Sequence, residues 1–286
     1  MANILKNVDK IKTTQGTEVD LDNISSGASI SHANGTVTTV GTDTVITFTV
    51  DGVLTVSYSL GIRYLVVGGG GAGGWDVGGG GGAGGYLAGD NYQIAVGTHA
   101  ITIGNGGVAT SSNTTQAGSS GGNSSIGSLL VAYGGGGGGH WHGSDASVRD
   151  GLDGGSGGGG GGWEQTSSGG DPHGSQGNAG GYNNSNAPYW SGAGGGGAGG
   201  AGANAAYDSN RDSFVEGGVG LPNDITGSSV TYARGGRGAH DSWTGKTAGA
   251  ANTGNGGDGT GYGSNMGTNG GSGIVIVRFP SIYLAS

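Results

Sequence analysis

Cysteine is absent from the 286 residues, which excludes a disulfide framework and any thiolate chemistry, whether catalytic or metal-binding. Proline occurs only four times and no strict Gly-X-Y register runs through the chain, so a collagen triple helix is excluded as well. Charge is sparse and acidic, with 10 Lys and Arg against 19 Asp and Glu and a net charge of −9. That balance leaves no basic footprint for nucleic acid or for an anionic membrane surface. Lysine appears at positions 6, 10 and 12 and then not until Lys246. No apolar run reaches the ~18 residues of a membrane-spanning helix, so no membrane insertion is expected. The opening MANILKNVDKIKTTQ holds no apolar stretch of signal-peptide length. The expectation is a protein made and folded in a cytoplasm and carried outward by some other route.

What is abundant is glycine, at 77 residues, while hydrophobic residues make up only 32 % and charged ones 10 %. A large Leu/Ile/Val/Phe core is therefore not expected. A mostly helical fold is excluded, because glycine costs about 1 kcal/mol per helical position relative to alanine. The fold class expected is mainly β and irregular, with almost no α-helix.

The chain divides by composition. Residues 1–32 are polar and read as an attachment or oligomerisation arm, with one short strand over 17–21. Over 33–60, ANGTVTTVGTDTVITFTVDGVLTVSYSL alternates threonine with valine and breaks at Asn34-Gly35, Gly41 and Asp51-Gly52. Period-two alternation bounded by Asx-Gly turns predicts short antiparallel strands near 36–40, 44–50 and 53–58. From 61 to 286 the character is glycine-rich. IRYLVV (62–67) runs straight into GGGGAGG, and GGSG (270–273) runs straight into IVIVRF. These two β-branched strands bracket the glycine region and are expected to be sheet neighbours. Between them lie glycine runs at 68–71, 78–82, 134–139, 157–162 and 194–197.

An ordered glycine run must offset about 1–2 kcal/mol of backbone entropy per residue with no side chain to bury. Only its amides and carbonyls remain, and buried ones must be paired. Three-residue-per-turn extended helices have no internal hydrogen bonds. Without Cβ atoms, several can lie side by side and bond to one another, which predicts a lattice of glycine helices. If successive segments run up and down, loops 140–153 and 182–191 share one end and loops 163–175 and 203–216 the other.

The ordered series TVTTVGTDTVITFTVDGVLTV, YLVVGGGGAGG, GGGGGAGGYLAG, ITIGNGG, NSSIGSLLVAYGGGGGG, QGNAGG, GGGGAGGAG, GGVGL, AANTGNGG and GGSGIVIVRF resembles the glycine-rich domain of bacteriophage tail-fibre and tail-fibre-tip adhesins. The resemblance implies a polyglycine II sandwich whose loops at the helix ends bind a host-surface receptor, either a glycan or an outer-membrane protein. Inserts at 140–153 and 204–216 depart from the pattern and are where individual specificity is expected. The localisation implied is the virion, with residues 1–32 joining other virion proteins and a homotrimer among the expected arrangements.

Aromatic faces at loop tips stack on sugars or anchor interfaces, although a ring can equally cap the open end of a lattice. Trp141, Tyr189, Trp190, Trp243 and Trp163 are the aromatic receptor-binding candidates, with His140 and His142 flanking Trp141. Arg234 and Arg237 in YARGGRG would bind an acidic sugar or cover a lattice edge. His140, His142 and Asp145 have too little fixed spacing to predict a metal, and Asp145, Asp150 and Asp153 do not form a calcium motif. TGKT (244–247) lacks the glycine five positions earlier that a phosphate loop requires, and the GxG strings lack a strand–turn–helix context. No triad or paired-carboxylate pattern is present, so neither catalysis nor a cofactor is expected. Two other readings stand beside the adhesin: a structural or decorative virion protein such as a head fibre, and an ice-binding protein.

Overall fold

The computed structural model describes residues 10–12, 18–20, 29–109, 117–141, 145–162, 166–184, 190–205, 213–263 and 266–285. β1 (Lys10–Lys12) and β2 (Glu18–Asp20) form an antiparallel pair. They are followed by β3 (Ile30–Ala33), β4 (Thr36–Val40), β5 (Asp43–Phe48), β6 (Gly52–Val56), β7 (Leu60–Val67), β8 (Tyr86–Ile94) and β9 (Gly97–Thr102). After these come β10 (Ser124–Ile126), β11 (Leu130–Ala132), the four-residue helix α1 (Ala146–Arg149) and β12 (Phe214–Val215). The series ends with β13 (Leu221–Asn223), β14 (Val230–Tyr232), β15 (Gly238–Ala239), β16 (Ile274–Pro280) and a 3-10 turn over Ser281–Tyr283. The fold is mainly β, with almost no helix.

Two five-stranded antiparallel sheets form one end of the molecule, in the orders β11-β10-β9-β6-β3 and β4-β5-β16-β7-β8. The bracketing strands β7 and β16 are neighbours, as the sequence predicts, with Val66 opposite Val275 and Tyr64 opposite Val277. Between the sheets lies a small core of Ile30, Ile46, Phe48, Leu54, Val66, Ile101, Val277 and Phe279. On the other face of the second sheet, Val45, Leu65 and Ile276 meet Ile225 and Tyr232 of the β13–β14 hairpin and Ala83 of the glycine region. Burial on both faces explains the unbroken apolar runs of β7 and β16.

The 36–56 region differs from a simple meander. β4 and β5 pair, but β6 leaves them and pairs with β3 and β9 in the other sheet. The Val50–Gly52 turn thus carries the chain across the core rather than along one sheet. Ile30 is fully buried in that core, so the folded body takes in β3, ahead of the composition boundary at 33.

Beyond the sheets the strands continue without a break into the glycine region. Segment 78–85 shows its construction. The amides of Gly78, Gly81 and Gly84 donate to Thr260, Gly257 and Gly254 at 2.8–2.9 Å. Those of Gly79, Gly82 and Gly85 donate to Gly139, Gly136 and Tyr133 at 2.7–2.8 Å. Those of Gly80 and Ala83 donate to Ala193 and Gly196, both at 2.9 Å. In return, its carbonyls accept from Gly74, Gly71 and Gly68, from Gly159 and Ser156, and from Ala239 and Gly236. The step of three residues in every series is the signature of a three-fold extended helix. The segment donates to three neighbours and accepts from three others, so its main chain is enclosed by main chain. Segments 134–139 and 157–162 join the same network through bonds such as Gly136 N–H to Ser156 and Gly159 N–H to Gly80.

At most inner positions no side chain fits between these helices. A Cβ on Gly80 would sit 2.0 Å from the Gly236 carbonyl oxygen, and one on Gly81 2.1 Å from that of Gly71. At the lattice edges, where a neighbouring helix is missing, side-chain oxygens replace backbone ones. Asp150 and Asp153 accept from the amides of Ser168 and Asp171, both at 2.7 Å. Asn255 and Asp258 accept from those of Arg234 at 2.9 Å and Arg237 at 2.7 Å. The three-residue spacing of both pairs is the helix repeat.

The expected up-and-down course holds, but the assignment of loops to ends needs correction. Trp141 and Trp190 do share the end far from the sheets. Gly162, bonded to Val77 at 2.8 Å, and Ser213, bonded to His240 at 3.4 Å, reach that same end. Loop 163–175 therefore starts from that end and finishes at the sheet end, where the His173 amide donates to Gly154 and the Tyr86 amide to Gln176, while loop 203–216 finishes at the far end. The reason is an extra pass: 150–154 descends and 155–162 climbs again, and its polar residues disguise the descending segment as loop. β3 and the segment after β16 meet at the other end of the sheets, where the Ala285 amide donates to Ile30 at 2.9 Å.

The packing predicts a sharp contrast between two glycines. Gly81→Ala should lower stability by more than the ~1–3 kcal/mol of an ordinary overpacked core, because rigid main chain is the obstacle. Gly200→Ala, whose Cβ would meet nothing nearer than Val219 Cγ2 at 3.5 Å, should be neutral or stabilising by up to about 1 kcal/mol. Paired denaturant melts check this, and equal losses in both would contradict it.

Candidate functional site

The far end of the lattice gathers aromatic rings. It is built on the connector Trp75-Asp76-Val77, which turns the chain from segment 68–74 into 78–85. Asp76 and Val77 hold φ of +50° and +52°, a left-handed conformation costing of order 1–3 kcal/mol for such residues. The surroundings hold them there. The Asp76 carboxylate accepts from the Trp141 indole N–H and, at 3.0 Å, from the Gly263 amide. The Asp76 carbonyl accepts from the Trp141 amide at 3.3 Å. One buried carboxylate thereby ties the loops at 141 and 262 to the central turn.

Around it the rings pack in pairs. Trp75 lies 5.7 Å from the His140 ring, Trp190 5.5 Å from Tyr262 and Phe214 5.5 Å from Trp243. The Asp241 amide donates to the Trp190 carbonyl at 3.1 Å, and the Tyr262 amide donates to that of Asp241, which locks the second pair. Tyr262 remains 52 % exposed and Phe214 37 %.

The predicted site residues fall into three groups. Trp141 and Trp190 are half-buried at this end. His140 and Trp243 are buried, at 0 % and 6 % exposure, which corrects their reading as projecting contacts. His140 sits under Trp75, and Trp243 lies beneath Phe214, so each caps the lattice while a neighbour faces outward. His142, Trp163 and Tyr189 lie outside the described residues. Arg234 and Arg237 lie on the lattice flank, where Arg234 Nη2 is 3.0 Å and Arg237 Nε 3.6 Å from the same Glu216 oxygen, and the Arg237 guanidinium reaches the Phe214 ring of the cluster at 4.3 Å.

Sequence reasoning missed Asp76, Tyr262 and Phe214. Nothing in WDV announces a three-loop clasp, and Tyr262 and Phe214 look like ordinary loop residues beside the tryptophans. Asp145, weighed as a metal ligand, caps α1 by accepting from the Ser147 amide at 3.0 Å. Among the described residues, no group of three His, Cys, Asp or Glu side chains is placed to hold a metal ion, and no helix is long and apolar enough to cross a membrane.

Burial pushes the Asp76 carboxyl above its ordinary range, outweighing the bonds from Trp141 and Gly263 and the nearby His140. A raised carboxyl holds its proton more tightly folded than unfolded. Its ionisation therefore opposes folding above the ordinary carboxylate range, and that opposition is relieved as pH falls. The stability of the native chain relative to Asp76→Asn should shift in the native chain's favour as pH drops from neutrality toward about 4. Melting curves at several pH values check this; a pH-independent difference would contradict it.

No curated protein sequence matches the chain. A family model described as a glycine-rich domain matches residues 26–280. That span runs from just before β3 to the end of β16 and so takes in both sheets and the whole lattice. The chain belongs to this glycine-rich domain family.

Proposed function

We propose that the protein is a bacteriophage virion-surface receptor-binding protein, a tail-fibre or fibre-tip adhesin, acting by binding rather than catalysis. The observation that carries this reading is polarity along the lattice. Partly exposed Trp141, Trp190, Tyr262 and Phe214 crowd one end, while the first and last strands of the two large sheets meet at the other, beside Ile30 and Leu284. In this reading residues 1–32 attach to other virion proteins and the rigid lattice carries the rings outward to a host-surface glycan or outer-membrane protein. Preorganised aromatic contacts lose little entropy on binding, and copies on one particle multiply weak contacts. The implied residence is the virion, with assembly in the host cytoplasm.

A second reading, a structural or decorative virion protein, draws support from the burial of Trp243 and His140, since these rings serve the lattice itself. Particles carrying Trp190→Ala with Tyr262→Ala separate the two. The adhesin reading predicts normal assembly and at least a tenfold loss of adsorption to host cells. Unchanged adsorption with defective assembly would overturn it in favour of the structural reading.

A further inference from the structure

The flank of the lattice holds a groove of about 190 Å³ lined by Arg234, Arg237, Thr247–Ala250, Asn255 and Asp258. At ~30 Å³ per water, it has room for roughly six waters, the scale of a single sugar ring. It lies where 233–237 and 247–250 both flank segment 254–258, through bonds such as Gly256 N–H to Arg234 and Asp258 N–H to Thr247. Arg234 and Arg237 are one helix repeat apart, so both guanidiniums emerge on the same face.

The charged side-chain chemistry of the lining is one-sided. The two arginines share a single carboxylate, Glu216, which is itself 57 % exposed. Asn255 must turn its carbonyl oxygen toward the Arg234 amide, which donates to it at 2.9 Å, and its NH₂ group is left over as a donor. The lining's own carboxylate, Asp258, is buried, and both its oxygens are occupied by the Arg237 and Thr247 amides at 2.7 and 2.8 Å. Two cations and the Asn255 NH₂ group thus line a groove whose own carboxylate is fully engaged, in a chain of net charge −9. At the groove's upper end the Arg237 guanidinium stacks 4.3 Å from the Phe214 ring, which joins the donor-rich surface to an aromatic face.

We propose that this groove binds a carboxylate-bearing sugar unit of a surface polysaccharide, its acid group held by Arg234 and Arg237 beside the edge of the Phe214 ring. The inference deepens the receptor reading and rests on it for the origin of the ligand. Glu216 acts as the competitor that the sugar acid displaces. A bidentate carboxylate contact suits the guanidinium fork better than the shared, partly exposed Glu216 oxygen does.

Calorimetric titration of the isolated full-length chain tests the proposal with three probes: a trimer of galacturonic acid, neutral maltotriose and inorganic phosphate. The expected result is saturable binding of trigalacturonate, weakened at least tenfold in Arg234→Gln/Arg237→Gln. In Glu216→Gln it should be strengthened several-fold, because both guanidiniums are released. A purely structural Arg–Glu contact would give no such gain, and this single variant stays informative if the double variant fails to fold. Equal binding of maltotriose, binding of phosphate without trigalacturonate, weaker binding in Glu216→Gln, or no saturable heat would each overturn the proposal. The titration needs no virion, so failure of the adsorption reading leaves its result standing, and the reverse holds too.

Discussion

Main-chain hydrogen bonding between parallel and antiparallel three-fold helices is the constraint on which the rest of the molecule depends. An amide–carbonyl bond contributes about 0.5–1.5 kcal/mol net, a small return against the entropy of ordering glycine. The lattice compensates by density: the amides of segment 78–85 all find partners and its carbonyls receive from three further segments. The same enclosure forbids a Cβ at almost every inner position, so composition and architecture are one fact seen twice. Glycine is needed there because any side chain would occupy the place of a carbonyl oxygen.

The apolar residues are then free to concentrate elsewhere. They form the two-sided packing around β7 and β16, which anchors the lattice at one end, and the ring pairs that close it at the other. Closure matters because the helix ends carry main-chain groups with fewer neighbours. The buried His140 and Trp243 and the clasp through Asp76 shield that end. The rings left half-exposed above them are thereby held on a rigid base, as a binding surface requires.

Much of this was legible in the residues. The β7–β16 pairing followed from two β-branched runs that face the glycine region from either side. The Thr/Val alternation located β4, β5 and β6 to within two residues. Other features were hidden for physical reasons. β6 crosses to the second sheet because of core packing, and alternation cannot report which sheet a strand joins. Segments 150–154 and 166–172 look like loops because they lie at lattice edges, where side chains such as Asp150 and Asp153 replace missing backbone acceptors. In hindsight the three-residue spacing of those aspartates, and of Asn255 and Asp258, was the available signal. The burial of His140 and Trp243, and the exposure of Tyr262 and Phe214 in their place, depends on which ring lies uppermost. Spacing along the chain does not encode that.

Amide hydrogen exchange along residues 78–85, followed by mass spectrometry or NMR, tests the central claim most directly. The account predicts that these amides exchange only through global unfolding, as slowly as those of Val66 and Ile276 in the central sheet, although no side chain shields most of them. Exchange at the rate of an open glycine linker, with the sheet amides still protected, would contradict it.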